Sequence, residues 1–257
     1  MPTQKMTYLC FTIAYNCQPD LLIVLAFLIS SLSFSDLECH LSSSALSPLS
    51  SAIKCAWAVL HQTYDTYSEE EVCIGFTGGK DCTVVLHLML AYLKQRFNYE
   101  FPKVTGLYLK GADPFPETEK FIDECQKNFN VKMIVIDSCI KDGLLKLKKT
   151  HPLIKSIVMG TRRHDPYSLS LRSFSLTDSD WPQYMRIMPI LDWTYGEVWE
   201  FLNIFQLPYC TLYDEGYTSI GYTINTHKNP YLQLSNGKYL PAYNLENVTS
   251  ERVGRKN

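Results

Sequence analysis

The chain has 257 residues and nine cysteines, but no CxxC pair and no Cys/His cluster at zinc spacing. That argues against a structural zinc site, and an odd count argues against a complete disulfide framework. The cysteines read as reduced, mostly buried small hydrophobes of a reducing compartment. Charge is also sparse, at a net −2. Nothing strongly basic offers a nucleic-acid surface. No apolar run reaches the ~20 residues that span a bilayer comfortably. The most apolar stretch, Leu21 to Leu32 (LLIVLAFLISSL), has the length of a signal h-region. Its flank is wrong for one, because Lys5 is the only basic residue ahead of it and Asp20 abuts it. Residues 1–50 contain no arginine, which speaks against a mitochondrial presequence. Ser30 to Ser51 is serine-rich, as a loosely ordered linker is. We therefore expect residues 1–50 to be a poorly ordered extension and 51–257 to form one domain.

What is present begins near Ala52. Ile53, Ala56, Trp57, Leu60 and Tyr64 fall at helical spacing. Strands are then expected at Val72 to Phe76, Val104 to Leu109, Lys132 to Ile136 and Ser156 to Met159. Helices are expected between them at Asp81 to Arg96, Glu117 to Phe129 and Ile140 to Lys149. Alternating βα units with strands this apolar predict an α/β fold, a mostly parallel sheet with helices on both faces. After Gly160 the pattern loosens, and only Tyr195 to Phe205 reads as a helix. In such sheets ligands bind beyond the C-terminal strand ends.

One such end carries GFTGGKDC, Gly75 to Cys82. A strand, a glycine turn and a helix start together make a phosphate cradle. Gly78 and Gly79 can take positive φ and bring bare backbone close to a ligand. The free N–H groups and the helix dipole favour an anion there. Lys80 adds a mobile positive charge, and Asp81 can cap the helix or hold a metal ion. Cys82 sits where a thiol pKa can fall, though packing is its commoner role. The pattern is not a Walker A loop, because Gly75 is one residue too close and Asp81 stands where Ser or Thr is required. An ordinary glycine turn before a buried helix is the competing reading of these residues alone.

A second strand end carries Gly160, Arg162, Arg163 and Asp165 in MGTRRHDPYS. Adjacent arginines there suit an anion, and Asp165 can accept from a ring N–H. The C-terminus reads ERVGR, with Arg252 and Arg255 three apart. Spacing alone reads that pair as a solvated face. In order along the chain, GFTGGKDCTVVLHL, PFPETEKF, MGTRRHDPYS, RIMPILDWTYGEVWEFL, PYCTLYDEGYTSIG, Asn229-Pro230, PAY and ERVGR resemble the eukaryotic FAD synthases. These are FMN adenylyltransferases of the phosphoadenylyl-sulfate reductase-like superfamily. The resemblance covers residues from about 52 to the C-terminus, and several ordered motifs outweigh a single-motif coincidence. Two departures stand out. Thr77 replaces the family's usual Asn, and residues 1–50 are too few for the upstream molybdopterin-binding-type domain of some animal relatives.

The resemblance implies AMP transfer from ATP to the phosphate of FMN, with Mg²⁺. It places the triphosphate on Thr77, Gly78, Gly79, Lys80, Asp81 and Cys82, with Phe76 also among the nucleotide-binding residues. It makes Asp81, Lys80 and Arg252 catalytic, with Asp81 and Thr77 on the metal. Adenine would lie near Tyr108. Gly160, Arg162, Arg163 and Asp165 would meet phosphate or flavin. Trp181, Trp193 and Tyr217 would offer faces to the isoalloxazine ring, and Arg252 and Arg255 would close over FMN. His87 and His164 read as structural. A monomer is expected, cytoplasmic with mitochondrial as the alternative, with ATP and FMN as small-molecule partners and neither nucleic acid nor membrane. Competing readings are a phosphoadenylyl-sulfate reductase, which needs a C-terminal nucleophilic cysteine, a sulfate adenylyltransferase subunit, and an inactive flavin- or ATP-binding module.

Overall fold

The computed structural model describes residues 32, 34–44 and 47–256. Its helices are α1 (Phe34–Ser43), α2 (Pro48–Thr66), α3 (Lys80–Phe97), α4 (Pro116–Asn128), α5 (Ile140–Thr150) and α6 (Tyr195–Ile204). Its strands are β1 (Val72–Gly75), β2 (Val104–Lys110), β3 (Val131–Asp137), β4 (Ser156–Val158), β5 (Phe174–Leu176) and β6 (Met185–Ile187). The strands form one sheet in the order β3-β2-β1-β4-β6-β5. Every pairing is parallel except β5 with β6. This is the expected α/β sheet, and β5 and β6 are additions that the looser pattern after Gly160 conceals. Beyond α6 the only regular elements among the described residues are short 3₁₀ turns.

The strand period of two divides the core between the faces. Ile74, Phe76, Tyr108 and Val158 join the larger core around α3. Cys73, Leu107, Ile134 and Ile157 join a smaller one with Leu144 and Leu147 of α5. Helix α3 is buried from Cys82 to Leu93 without a polar stripe, because the sheet, α2 and α6 surround it. His87 lies inside that helix, fully buried, edge-on to the Phe129 ring at 4.8 Å. Burial pushes its pKa down to about 3. The Thr194–Glu197 capping box starts α6.

Two expectations about the N-terminal part are corrected. The serine-rich stretch is helical over Phe34–Ser43, and Leu37 joins the larger core. Helix α2 starts at Pro48, capped by Ser47, with Leu49 and Ser50 buried, so packing begins ahead of residue 51. Of the apolar run Leu21 to Leu32, all but Leu32 lies outside the described residues, as does every residue before it.

Candidate active site

Between β1 and α3 the backbone turns on Gly78, at φ +73°, and a Cβ there would stand 2.9 Å from Thr118 Cγ2. Gly79 is the α3 N-cap at φ −75°, an ordinary conformation, so only the first glycine of the pair is left-handed. The Lys80 N–H donates to the Tyr213 hydroxyl at 2.9 Å. Gly160, just beyond β4, abuts the same helix end. A Cβ there would lie 2.6 Å from the Cys82 nitrogen and 2.7 Å from the Asp81 carbonyl carbon. Thr77, Gly79, the start of α3 and Gly160 border a cavity of about 560 Å³ at the C-terminal edge of the sheet. Leu107, Leu109, Met159 and Trp181 give it an apolar wall. Asp81, Asp165, Arg252 and Arg255 add charge. An apolar cleft with a few convergent polar groups at a helix N-terminus suits a ligand that joins a flat ring to phosphate.

Four charges form a closed ring at the cavity floor. Arg162 Nε lies 2.7 Å from Asp81 Oδ1. Arg162 Nη2 donates to both Glu251 oxygens, at 2.5 and 2.7 Å. Lys80 Nζ donates to Glu251 Oε1 at 2.5 Å, to Asp81 Oδ2 at 3.0 Å and to the Thr218 carbonyl at 3.3 Å. The Lys80 and Arg162 side chains are each 2% exposed, so neither cation is hydrated in the ordinary way. Burial works to raise the Asp81 pKa, but Lys80 and Arg162 outweigh it and hold the carboxyl below its usual range. Burial likewise opposes the Arg162 charge, and Asp81 and Glu251 more than restore it.

The tail reaches this floor through its own scaffold. The Thr218 hydroxyl donates to the Glu251 carbonyl at 2.6 Å. Asn229 Nδ2 donates to Thr218 Oγ1 and to the Ser250 carbonyl. Arg252 Nη1 points at Asp165 Oδ1, 3.5 Å away. Arg255 Nη1 donates to the Ile220 carbonyl at 2.8 Å, and its guanidinium fills the space that a Cβ on Gly221 would take. Burial, then the neighbouring Arg252 charge, lowers the Arg255 pKa.

Residues 71–228 match the phosphoadenosine phosphosulfate reductase domain. The probable FAD synthase of Schizosaccharomyces pombe is 39% identical over 202 residues, covering 77% of this chain and 76% of that protein. The chain belongs to the FAD synthase family. The probable FAD synthase of Caenorhabditis elegans is 41% identical over 207 residues. That match covers 79% of this chain but only 40% of the nematode protein, so the chain corresponds to less than half of that relative. The crystal structure of yeast FAD synthetase in complex with FAD superposes at a TM-score of 0.80 and 25% identity, covering 91% of this chain and 99% of that one.

Within this FAD synthase-family fold, the cavity border includes Thr77, Gly79, Lys80, Asp81, Cys82, Gly160, Asp165, Trp181, Arg252 and Arg255 of the residues expected from sequence. Seven expected residues lie off that border, Gly78 in the turn among them. Phe76 is wholly buried in the larger core. Tyr108 faces that core too, since strand alternation turns Leu107 and Leu109 to the cavity instead, and burial pushes its pKa up to about 12. Trp193 is a core residue that donates to the Ala52 carbonyl at 3.2 Å. Tyr217 packs edge-on against Phe115, away from the cavity. Arg163 is tied to Asp192 and to the Leu169 and Leu171 carbonyls. Arg162 is the buried counter-ion of Asp81 and Glu251, beneath the cavity border. Lys80 is not mobile either, because its three ammonium protons have three acceptors. Cys82 donates to the Gly79 carbonyl, and burial pushes its thiol pKa up, so it is no activated thiol. Sequence reasoning missed Glu251, the first residue of ERVGR, and the cavity-facing Tyr213 and Tyr222. Only the tail motif could have signalled Glu251.

Metal donors are few. Among the described residues no group of three His, Cys, Asp or Glu side chains is arranged to hold an ion. Asp81 (side chain 23% exposed) and the exposed residue Thr77 both border the cavity. One carboxylate and one hydroxyl suit a magnesium ion that takes its other ligands from phosphate and water.

Proposed function

We propose that this chain transfers AMP from ATP to the phosphate of FMN, giving FAD and pyrophosphate. An FMN phosphate oxygen attacks the α-phosphorus of ATP. The bond from that phosphorus to the bridging oxygen of the β-phosphate breaks, and pyrophosphate leaves with the electron pair. The substrate is itself the nucleophile, so the protein's task is alignment and charge neutralisation. One observation carries the reading: the glycine loop and the tail arginines, far apart in sequence, border a single cavity. The glycine loop and α3 N-terminus would seat the triphosphate, and Leu107, Leu109 and Met159 would take the adenine. Asp165, Arg252 and Arg255 would hold FMN, with Trp181 against a ring. Asp81 and Thr77 would hold magnesium, which when bound neutralises phosphate charge. The reductase alternative needs a nucleophilic thiol towards the C-terminus, and the last cysteine, Cys210, is buried with its pKa raised by that burial.

We further propose a monomer working in the cytoplasm, in keeping with the free cysteines among the described residues. Among those residues no helix is long and apolar enough to cross a membrane. Incubation with FMN, ATP and Mg²⁺, followed by chromatographic detection of FAD, tests the reaction. Stoichiometric FAD and pyrophosphate are expected. Saturable binding of both ligands without product would instead favour an inactive binding module.

A further inference from the structure

Asp81 borders the cavity, whereas Glu251 lies behind it and its side chain is only 12% exposed. Its carboxylate nevertheless touches both cations that fix Asp81. We infer that Glu251 is a positioning residue for nucleotidyl transfer: it holds Lys80 and Arg162 in the orientation that clamps both oxygens of Asp81. The inference rests on the reaction proposed above.

With Glu251 present, the ring contains two cations and two carboxylates and is formally neutral. Without that carboxylate, two desolvated cations compete for the single remaining one. Arg162 Nη2 then loses both of its side-chain acceptors, and Lys80 keeps only Asp81 and a carbonyl. Unpaired buried charge does not stay in place. Both cations should shift toward Asp81 or toward the cavity, and the Asp81 carboxylate should swing with them. The ring thus fixes Asp81, a carboxylate on the cavity border, through a residue that is not on that border.

The backbone at Glu251 is held independently of its side chain. Its carbonyl accepts from Thr218, and Asn229 fixes both Thr218 and Ser250. Glu251→Gln should therefore remove the charge while leaving the tail docked. That separates a positioning role from a role in merely fastening the tail.

The test is a double-mutant cycle on wild type, Glu251→Gln, Lys80→Met and the double variant, each checked for fold by circular dichroism and thermal melting. Glu251→Gln should lower kcat by about tenfold or more, with KM for ATP and for FMN within about threefold of wild type. Lys80→Met removes the surplus positive charge, so the double variant should be no slower than the slower single variant. A purely structural ion pair predicts coupling in melting temperature and none in kcat. Wild-type kcat in folded Glu251→Gln protein, or losses that multiply in the double variant, would overturn the assignment. If the wild type makes no FAD, the proposed reaction fails and the Glu251 role in nucleotidyl transfer falls with it; if the wild type makes FAD and folded Glu251→Gln keeps its kcat, the Glu251 role alone fails.

Discussion

The β1–α3 loop and the C-terminal tail reach the same cavity by opposite means. The loop is backbone chemistry: a left-handed Gly78, a helix N-terminus and a glycine-tight approach by Gly160. The tail has almost no regular structure, and its place is fixed by side chains. Thr218, Asn229, Glu251 and Arg255 each bond across a turn or to another element. A backbone site tolerates many neighbours but few changes at its glycines. A side-chain site depends on each partner, and it can be dismantled one function at a time.

The largest expected effect strikes the loop half. Asp81→Ala should cut kcat by ~10²-fold or more, as removal of a charge-stabilising group commonly does. FAD formation at saturating Mg²⁺ decides it, with Asp81→Asn as the shape-preserving control. Near-normal turnover in both would place the working charge in the tail and reverse the comparison.

Acid should expose the loop half through its helix. His87 stays neutral in the fold down to about pH 3, while an unfolded histidine protonates near its ordinary value of 6.5. Between those values the unfolded chain binds the extra proton, so stability is lost as pH falls below 6.5. The loss is about 2 kcal/mol at pH 5. His87→Leu should abolish that increment, read as the difference in chemical-denaturation stability between pH 7.5 and pH 5. An unchanged difference would mean that His87 finds a partner when protonated.

Next comes the tail. Arg252→Ala should raise the FMN requirement by about tenfold while ATP dependence moves little. Equal losses for both substrates would show that the halves cannot be separated. The smallest effect belongs to Arg163→Ala. Its guanidinium serves Asp192 and two loop carbonyls, so thermal stability should drop by a few degrees while FMN and ATP dependence stay within about twofold. A selective FMN defect would bring Arg163 back to the ligand.

What was legible in the sequence follows the same division. Val72 to Asp81 could be read because strand, turn and helix start are dictated by neighbouring residues. The βα alternation extended that reading to the sheet as far as β4. Tyr108, expected near adenine, faces the larger core, and strand parity alone puts it opposite Leu107 and Leu109. Arg162 and Arg163 look alike in sequence, and only the fold separates a buried counter-ion from a loop tie. Trp193 looked like a flavin platform, but its indole N–H finds a main-chain carbonyl 141 residues away. Glu251 meets Lys80 across 171 positions, and no local pattern encodes such a pairing. The helix at Phe34–Ser43 was hidden by serine content, because composition does not register the apolar spacing that buries Leu37.

The seat of Arg255 on Gly221 gives the tail an unusual vulnerability. The guanidinium occupies the room of a missing methyl group, and it is the free end of a flexible side chain. Gly221→Ala would therefore displace that charge, with its bond to the Ile220 carbonyl, without deleting the arginine. A single carbon would act as a wedge, leaving an intact arginine aimed at the wrong place. Comparing that variant with Arg255→Ala would tell whether the site needs the charge or its address.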